Sequence, residues 1–161
     1  MKSRRAQLLE FAVLGLLHEG PTHGYDLRRR LNTALGPFRA LSYGTLYPAL
    51  RDLLDHGLIA ETTDPAGPTG RRPRVVYELT AAGKEHFSAL VARTDASAYE
   101  DDGFDVRFAF FGRTERDVRL RILEGRRSRV EEDLERVRDA AARSRERLDA
   151  YTTALQRHGE E

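Results

Sequence analysis

Apolar residues recur along this chain in three rhythms, and each predicts a different kind of element. From about Ala6 to Leu17 the positions Leu9, Val13, Leu16 and Leu17 follow the spacing of one buried helical face. Gly20-Pro21 ends that helix. A second helix is predicted to open at Thr22 or His23, with Leu27, Leu31 and Leu35 on one side and Arg28, Arg29 and Arg30 around the other, and Gly36-Pro37 closes it. A third begins at Ser42, whose hydroxyl suits an N-cap, and carries Leu46, Leu50, Leu53 and Leu54 on its apolar face, with Gly57 as the residue that ends it. Pro48 lies inside this helix. The carbonyl that loses its donor belongs to Gly44 in the first turn, so a bend or a late start is expected, at lower cost than in mid-helix.

The rhythm then shortens to two. Leu58 to Thr63 reads as a short strand and the segment from Asp64 to Gly70 as a turn. Val75 to Leu79 reads as a second strand, with Val75, Tyr77 and Leu79 on one face. Thr80 is placed to cap a fourth helix running to about Arg93. Three helices, a two-stranded hairpin and a further helix make a winged helix-turn-helix over residues 1–93.

The third rhythm is a heptad. Residues 94–113 read as a linker with an aromatic cluster, Phe104, Phe108, Phe110 and Phe111, broken by Gly112. Residues 114–161 read as a C-terminal helical dimerisation region. There Leu120, Leu123, Arg127, Val130, Leu134, Val137, Ala141, Ser144, Leu148, Tyr151 and Leu155 are spaced alternately by three and four. A helix of about forty residues is ~60 Å long, and a small domain at one end cannot cover its apolar seam. The physical demand is a partner, most simply the same helix of a second copy. The apolar seam residues Leu120, Leu123, Val130, Leu134, Val137, Ala141, Leu148, Tyr151 and Leu155 are the expected dimer contacts, and Arg127 and Ser144 interrupt the seam where they can fix register. The fold class is therefore mostly α: a winged helix-turn-helix DNA-binding domain followed by a long, coiled-coil-like dimerisation helix.

Composition narrows the chemistry. The chain has no cysteine, which excludes disulfides, thiolate zinc sites and thiol catalysis. His18, His23, His56, His86 and His158 form no pair at ligand spacing, so no metal site is expected. No phosphate-cradling glycine loop and no carboxylate–histidine set is present, so neither a cofactor nor an enzyme is expected. No apolar run approaches the ~20 residues of a membrane span. The basic start Met1-Lys2-Ser3-Arg4-Arg5 runs into an amphipathic segment without a cleavage site, and the expected location is cytoplasmic. Net charge is +1; the first 80 residues carry +3 and the remainder −2, so charge points to nucleic acid only through where the arginines sit.

They sit in two informative places. Ser42, Tyr43, Thr45 and Tyr47 offer hydroxyls and rings at the start of the third helix, and Arg51 follows on the same helix. Hydroxyls bond phosphates or either base edge, so they position more than they discriminate. Arg71, Arg72 and Arg74 cluster at the hairpin tip, where they suit phosphates or a minor groove. The bland alternatives are caps and packing for the first set and a solvated turn for the second. Arg28, Arg29 and Arg30 cannot all face one way.

Taken together, Leu14-Gly15-Leu16-Leu17, Gly20-Pro21-Thr22-His23-Gly24-Tyr25-Asp26-Leu27, Ser42-x-Gly44-Thr45-Leu46-Tyr47-Pro48-Ala49-Leu50, Gly57-Leu58-Ile59, Gly70-Arg71-Arg72-Pro73-Arg74 and Tyr77-x-Leu79-Thr80-x-x-Gly83 resemble the PadR family of bacterial transcriptional regulators. The resemblance covers residues ~8 to 85. It implies a dimeric winged-helix protein that usually represses genes, often until a small molecule releases it, and it places Tyr25 near the DNA backbone. The expected partners are double-stranded DNA at a near-palindromic operator and a second copy of the chain. The alternative is a winged-helix adaptor that recruits a different protein through its C-terminal helix. Two readings of Phe104, Phe108 and Phe111 stand side by side: core residues near the dimer interface, or the lining of a pocket for a small, flat aromatic effector.

Overall fold

The computed structural model describes residues 2–35, 43–64 and 74–159. In order they form α1 (Arg4–Leu17), β1 (Thr22–His23), α2 (Gly24–Leu35), α3 (Tyr43–Asp55), β2 (Ile59–Asp64), β3 (Arg74–Leu79), α4 (Ala81–Ala92), α5 (Ala96–Tyr99), α6 (Asp101–Phe108), a 3-10 turn (Phe111–Arg113) and α7 (Arg116–Gly159). The architecture is the expected one, a mostly helical winged helix with a long C-terminal helix.

The first correction concerns α1. Its spacing predicts one buried face, but Leu9 and the whole run Phe11, Ala12, Val13, Leu14, Gly15, Leu16 and Leu17 are buried. A helix that is apolar all round must be covered all round. Here α2, α3 and α4 supply one part of the cover and α6 the other. Leu27 and Leu31 of α2, Leu46, Leu50 and Leu53 of α3, Ile59, Tyr77 and Phe87 complete the core.

The second correction concerns Thr22 and His23. They do not open α2; they form β1, paired antiparallel to β3 with Thr22 opposite Tyr77 and His23 opposite Val76. The sheet thus has three strands in the order β1-β3-β2, not two. β-branched Thr22 suits a strand, its hydroxyl donates to the Gly20 carbonyl at 3.0 Å, and β1 covers what would be an open edge of β3. The hairpin register runs from Ile59 opposite Leu79 to Asp64 opposite Arg74.

α3 runs unbroken through Pro48. The Gly44 carbonyl, which loses its donor to Pro48, lies at an exposed position that solvent can reach. Gly57, at φ 67°, turns the chain out of α3 in the left-handed conformation that favours glycine. Thr80 caps α4 as expected: its Oγ1 accepts from the Gly83 N–H at 3.0 Å and donates to the Gly57 carbonyl at 2.7 Å. That hydroxyl fastens the end of α3 to the start of α4.

The stretch read as a linker is folded. Ala98 of α5, Val106 of α6 and Phe110 just after α6 are buried, and Phe110 meets Phe11 edge-on at 5.6 Å. Arg107 is only 7% exposed. Its guanidinium donates to the Leu90 carbonyl at 2.8 Å and lies 5.0 Å over the Phe11 ring, so it closes the C-terminal end of α4. Burial pushes its pKa below the usual guanidinium value.

At 44 residues α7 is about 66 Å long. Only its first turns dock on the rest. Ile122 is buried, and Gly125 lies under the Tyr99 ring, where a Cβ would come within 2.6 Å of Cδ1. Arg126 donates to Asp101 at 2.5 Å and lies 5.3 Å over the Phe104 ring. From Arg127 to His158 every residue except Asp133 is exposed. No helix among the described residues is long and apolar enough to cross a membrane.

Candidate nucleic-acid interface

α3 presents a ridge because its leucines are drawn inward. With Leu46, Leu50 and Leu53 in the core, helical spacing turns Gly44, Thr45, Tyr47, Pro48, Arg51 and Asp55 outward, and all six are exposed. Arg51 stands on this ridge with no hydrogen bond or ion pair to any described residue.

One side of the ridge is a groove of about 620 Å³ lined by His23, Gly24, Tyr25, Asp26, Tyr47, Arg74, Val75 and Tyr77. Three elements that are distant in sequence meet there: the β1–α2 corner, α3 and the base of the hairpin. Tyr77 forms the floor. Burial raises its hydroxyl pKa, with Glu61 adding to the effect, so the phenol keeps its proton at neutral pH. Gly24 permits the close approach, since a Cβ there would stand 3.3 Å from the Tyr77 ring. Tyr25 and Tyr47 are 74% and 58% exposed. Large aromatic side chains left in water while smaller apolar ones are buried mark a surface built for contact. His23 Nε2 lies 3.9 Å from Asp64 Oδ2, and its Nδ1 is buried with no hydrogen-bond partner among the described residues.

Tyr25, Tyr47 and Arg74, which come from three separate motifs of the sequence, therefore share one groove, with Arg51 on the adjacent ridge. Thr45 faces the other flank of α3, in a second cleft of about 330 Å³ with Lys2, Arg5 and Asp52. Ser42, Arg71 and Arg72, together with the side chain of Tyr43, lie outside the described residues. Of the three arginines on α2, Arg30 is committed to the fold: it pairs with Glu19 and reaches Thr22 Oγ1 at 3.5 Å, holding β1 in place. Arg29 lies 3.9 Å from Asp26. Sequence reasoning missed Arg5 and Asp26 as lining residues; both sit on helix faces that carry no periodic signal of their own.

The aromatic run divides in two. Phe110 belongs to the core, whereas Phe104, Phe108 and Phe111 pack on one another with ring centroids 5.2, 5.7 and 6.2 Å apart. Phe108 is 59% exposed, so this cluster reaches the surface beside Arg126 of α7. The heptad residues Leu120, Leu123, Val130, Leu134, Val137, Ala141, Leu148, Tyr151 and Leu155 are all exposed in the single chain.

Residues 13–89 match the Transcriptional regulator PadR-like family. The chain is 34% identical over 87 residues to the negative transcriptional regulator PadR of Bacillus subtilis (strain 168), a match that covers 54% of this chain and 47% of that protein, so about half of the relative's length is spanned. Among solved structures, the crystal structure of Bacillus subtilis PadR in complex with operator DNA is similar at 28% identity and a TM-score of 0.49, over 68% of this chain and 61% of that one. A PadR-like transcription factor from bacteroid fragilis is similar at 30% identity and a TM-score of 0.46, over 53% and 79%.

Proposed function

We propose that the chain, whose residues 13–89 match the PadR-like family of transcriptional regulators, is a homodimeric repressor that holds operator DNA between two winged-helix heads. The observation that carries this reading is the groove in which Tyr25, Tyr47 and Arg74 converge beside the exposed ridge of α3. A helix is 10–12 Å across and the major groove about 12 Å wide, so a ridge of this kind fits it. In this reading Thr45, Tyr47 and Arg51 enter the major groove with Ser42 and Tyr43. Tyr25 and Arg74 meet the flanking phosphates, joined by Arg71 and Arg72. Phosphate contacts fix orientation, and the ridge reads the bases.

The uncovered seam of α7 supports the second copy. Eight large apolar side chains from Leu120 to Leu155 stand in water on one isolated helix, and matching seams from two chains bury each other. Two heads joined in this way require two half-sites related by the dimer twofold, hence a near-palindromic operator. Repression follows when that operator overlaps a promoter. An aromatic effector settling against Phe104, Phe108 and Phe111 would act where α6 meets α7, and so on the spacing of the heads.

The test is a gel-shift assay on duplexes that the protein enriches from genomic DNA. Binding is expected to weaken steeply with salt. It should be strongly reduced by Arg71→Ala combined with Arg72→Ala, and by Arg74→Ala. Absence of binding at low salt, or binding indifferent to all three changes, would show the reading to be wrong.

A further inference from the structure

Three cations stand at the start of α1, and two of them are committed within the fold. Lys2 Nζ lies 2.7 Å from Glu10 Oε2 and 2.6 Å from Asp52 Oδ2. Arg4 pairs with Glu100. Arg5 is exposed and makes no hydrogen bond or ion pair with any described residue. It lines the second cleft with Lys2, Ser3, Gly44 and Thr45, and the Lys2–Asp52 pair holds this end of α1 against α3.

The position of that cleft gives the uncommitted charge a meaning. At roughly 100° per residue, Thr45, Ala49 and Asp52 lie about 140–200° round α3 from Tyr47. The ridge of Gly44, Pro48, Arg51 and Asp55 runs between the two sides. The groove of Tyr25, Tyr47 and Arg74 thus flanks the ridge on one side and the Arg5 cleft on the other. A helix seated in a major groove has a phosphate backbone along each flank. Among the described residues, the wing side supplies Arg74 for one backbone, and Arg5 stands on the side of the other.

We propose that Arg5 is the phosphate contact for the second DNA strand, on the flank of α3 away from the wing. This rests on the DNA-binding reading above. Lys2 is a positioning residue here, because two carboxylates already match its charge.

The experiment measures affinity by fluorescence anisotropy against salt, on a duplex of about 40 base pairs that the protein itself enriches from random-sequence DNA. Each phosphate contact contributes about 0.9 to the slope of log affinity against log salt concentration. Arg5→Ala should lower the slope by about that amount, and Arg5→Lys should restore it. Lys84→Ala, which removes an equal charge from α4 outside both clefts, should leave the slope unchanged. A wild-type slope in Arg5→Ala, beside a reduced one in Arg74→Ala, would overturn the proposal and leave the DNA-binding reading intact. No binding by the unaltered chain at about 50 mM salt would overturn both.

Discussion

Phe110 lies directly over Gly15: a Cβ added at residue 15 would meet Phe110 Cε1 at 2.4 Å. Through this contact α1 of the winged helix and the segment after α6 become one packed unit, because the same ring also meets Phe11 and Phe87, at centroid distances of 5.6 and 6.5 Å. Gly15→Ala forces the ring out of a filled core and should destabilise the protein by about 1–3 kcal/mol. Phe110→Ala leaves a cavity and should cost about 3–5 kcal/mol. Combined with Phe110→Leu, Gly15→Ala should cost less than the two changes separately, since the smaller side chain makes room for the methyl. Urea denaturation midpoints check all three.

Arg107 supports the same junction by different chemistry. Arg107→Ala removes the shorter of two hydrogen bonds to the Leu90 carbonyl, leaving the Arg93 N–H at 3.3 Å, and empties the space over Phe11; it should cost about 2–4 kcal/mol in chemical denaturation. Arg107→Lys should recover only part of this, because an ammonium lacks the planar fork. Full recovery by lysine would show that charge alone matters there.

Acid should loosen the attachment of α1 to α3. The Lys2 ammonium holds the Asp52 carboxyl below its ordinary pKa, and the pairing raises Lys2 in turn. For a carboxyl depressed in the folded state, the stabilisation is present above the unfolded value of about 3.9 and is lost as pH falls through the lower folded value. Asp52→Asn should therefore lower the melting temperature slightly at pH 7, by at most the equivalent of about 1 kcal/mol for so exposed a pair. Once pH has fallen below that folded value, the variant and the unaltered chain should melt together, since both then lack the charge.

Charging the seam should separate the copies. Leu134→Glu with Val137→Glu should give monomers by sedimentation, with the winged helix still folded by circular dichroism, because both residues are exposed and touch none of the core. Operator affinity should fall by about 100-fold or more as the second head is lost. A dimer that survives both changes would move the interface elsewhere.

Much of this molecule is legible in its sequence where a local rule operates. Leu46, Leu50 and Leu53 announce α3 by period, Thr80 and Gly57 mark termini by cap chemistry, and the alternation of three and four marks α7. What escapes is set by packing over distance. Thr22 and His23 are too few to show a strand period and become one only because β3 has an edge to cover. Arg107 carries a charge that reads as surface, yet the open end of α4 draws it inside. Ile122 lies between Leu120 and Leu123 of the seam, yet it is buried where the start of α7 packs on α5. The groove of Tyr25, Tyr47 and Arg74 is legible residue by residue but not as a place, since it takes shape only where three elements far apart in the chain meet.

The pattern in which duplex DNA is covered tests the two-headed grip most directly. Hydroxyl-radical footprinting on an enriched operator is predicted to show two protected half-sites related by a twofold axis, centred about one helical turn or a multiple apart. Both should disappear together in the Leu134→Glu, Val137→Glu chain. A single protected site, or a pair that survives in that chain, would contradict it.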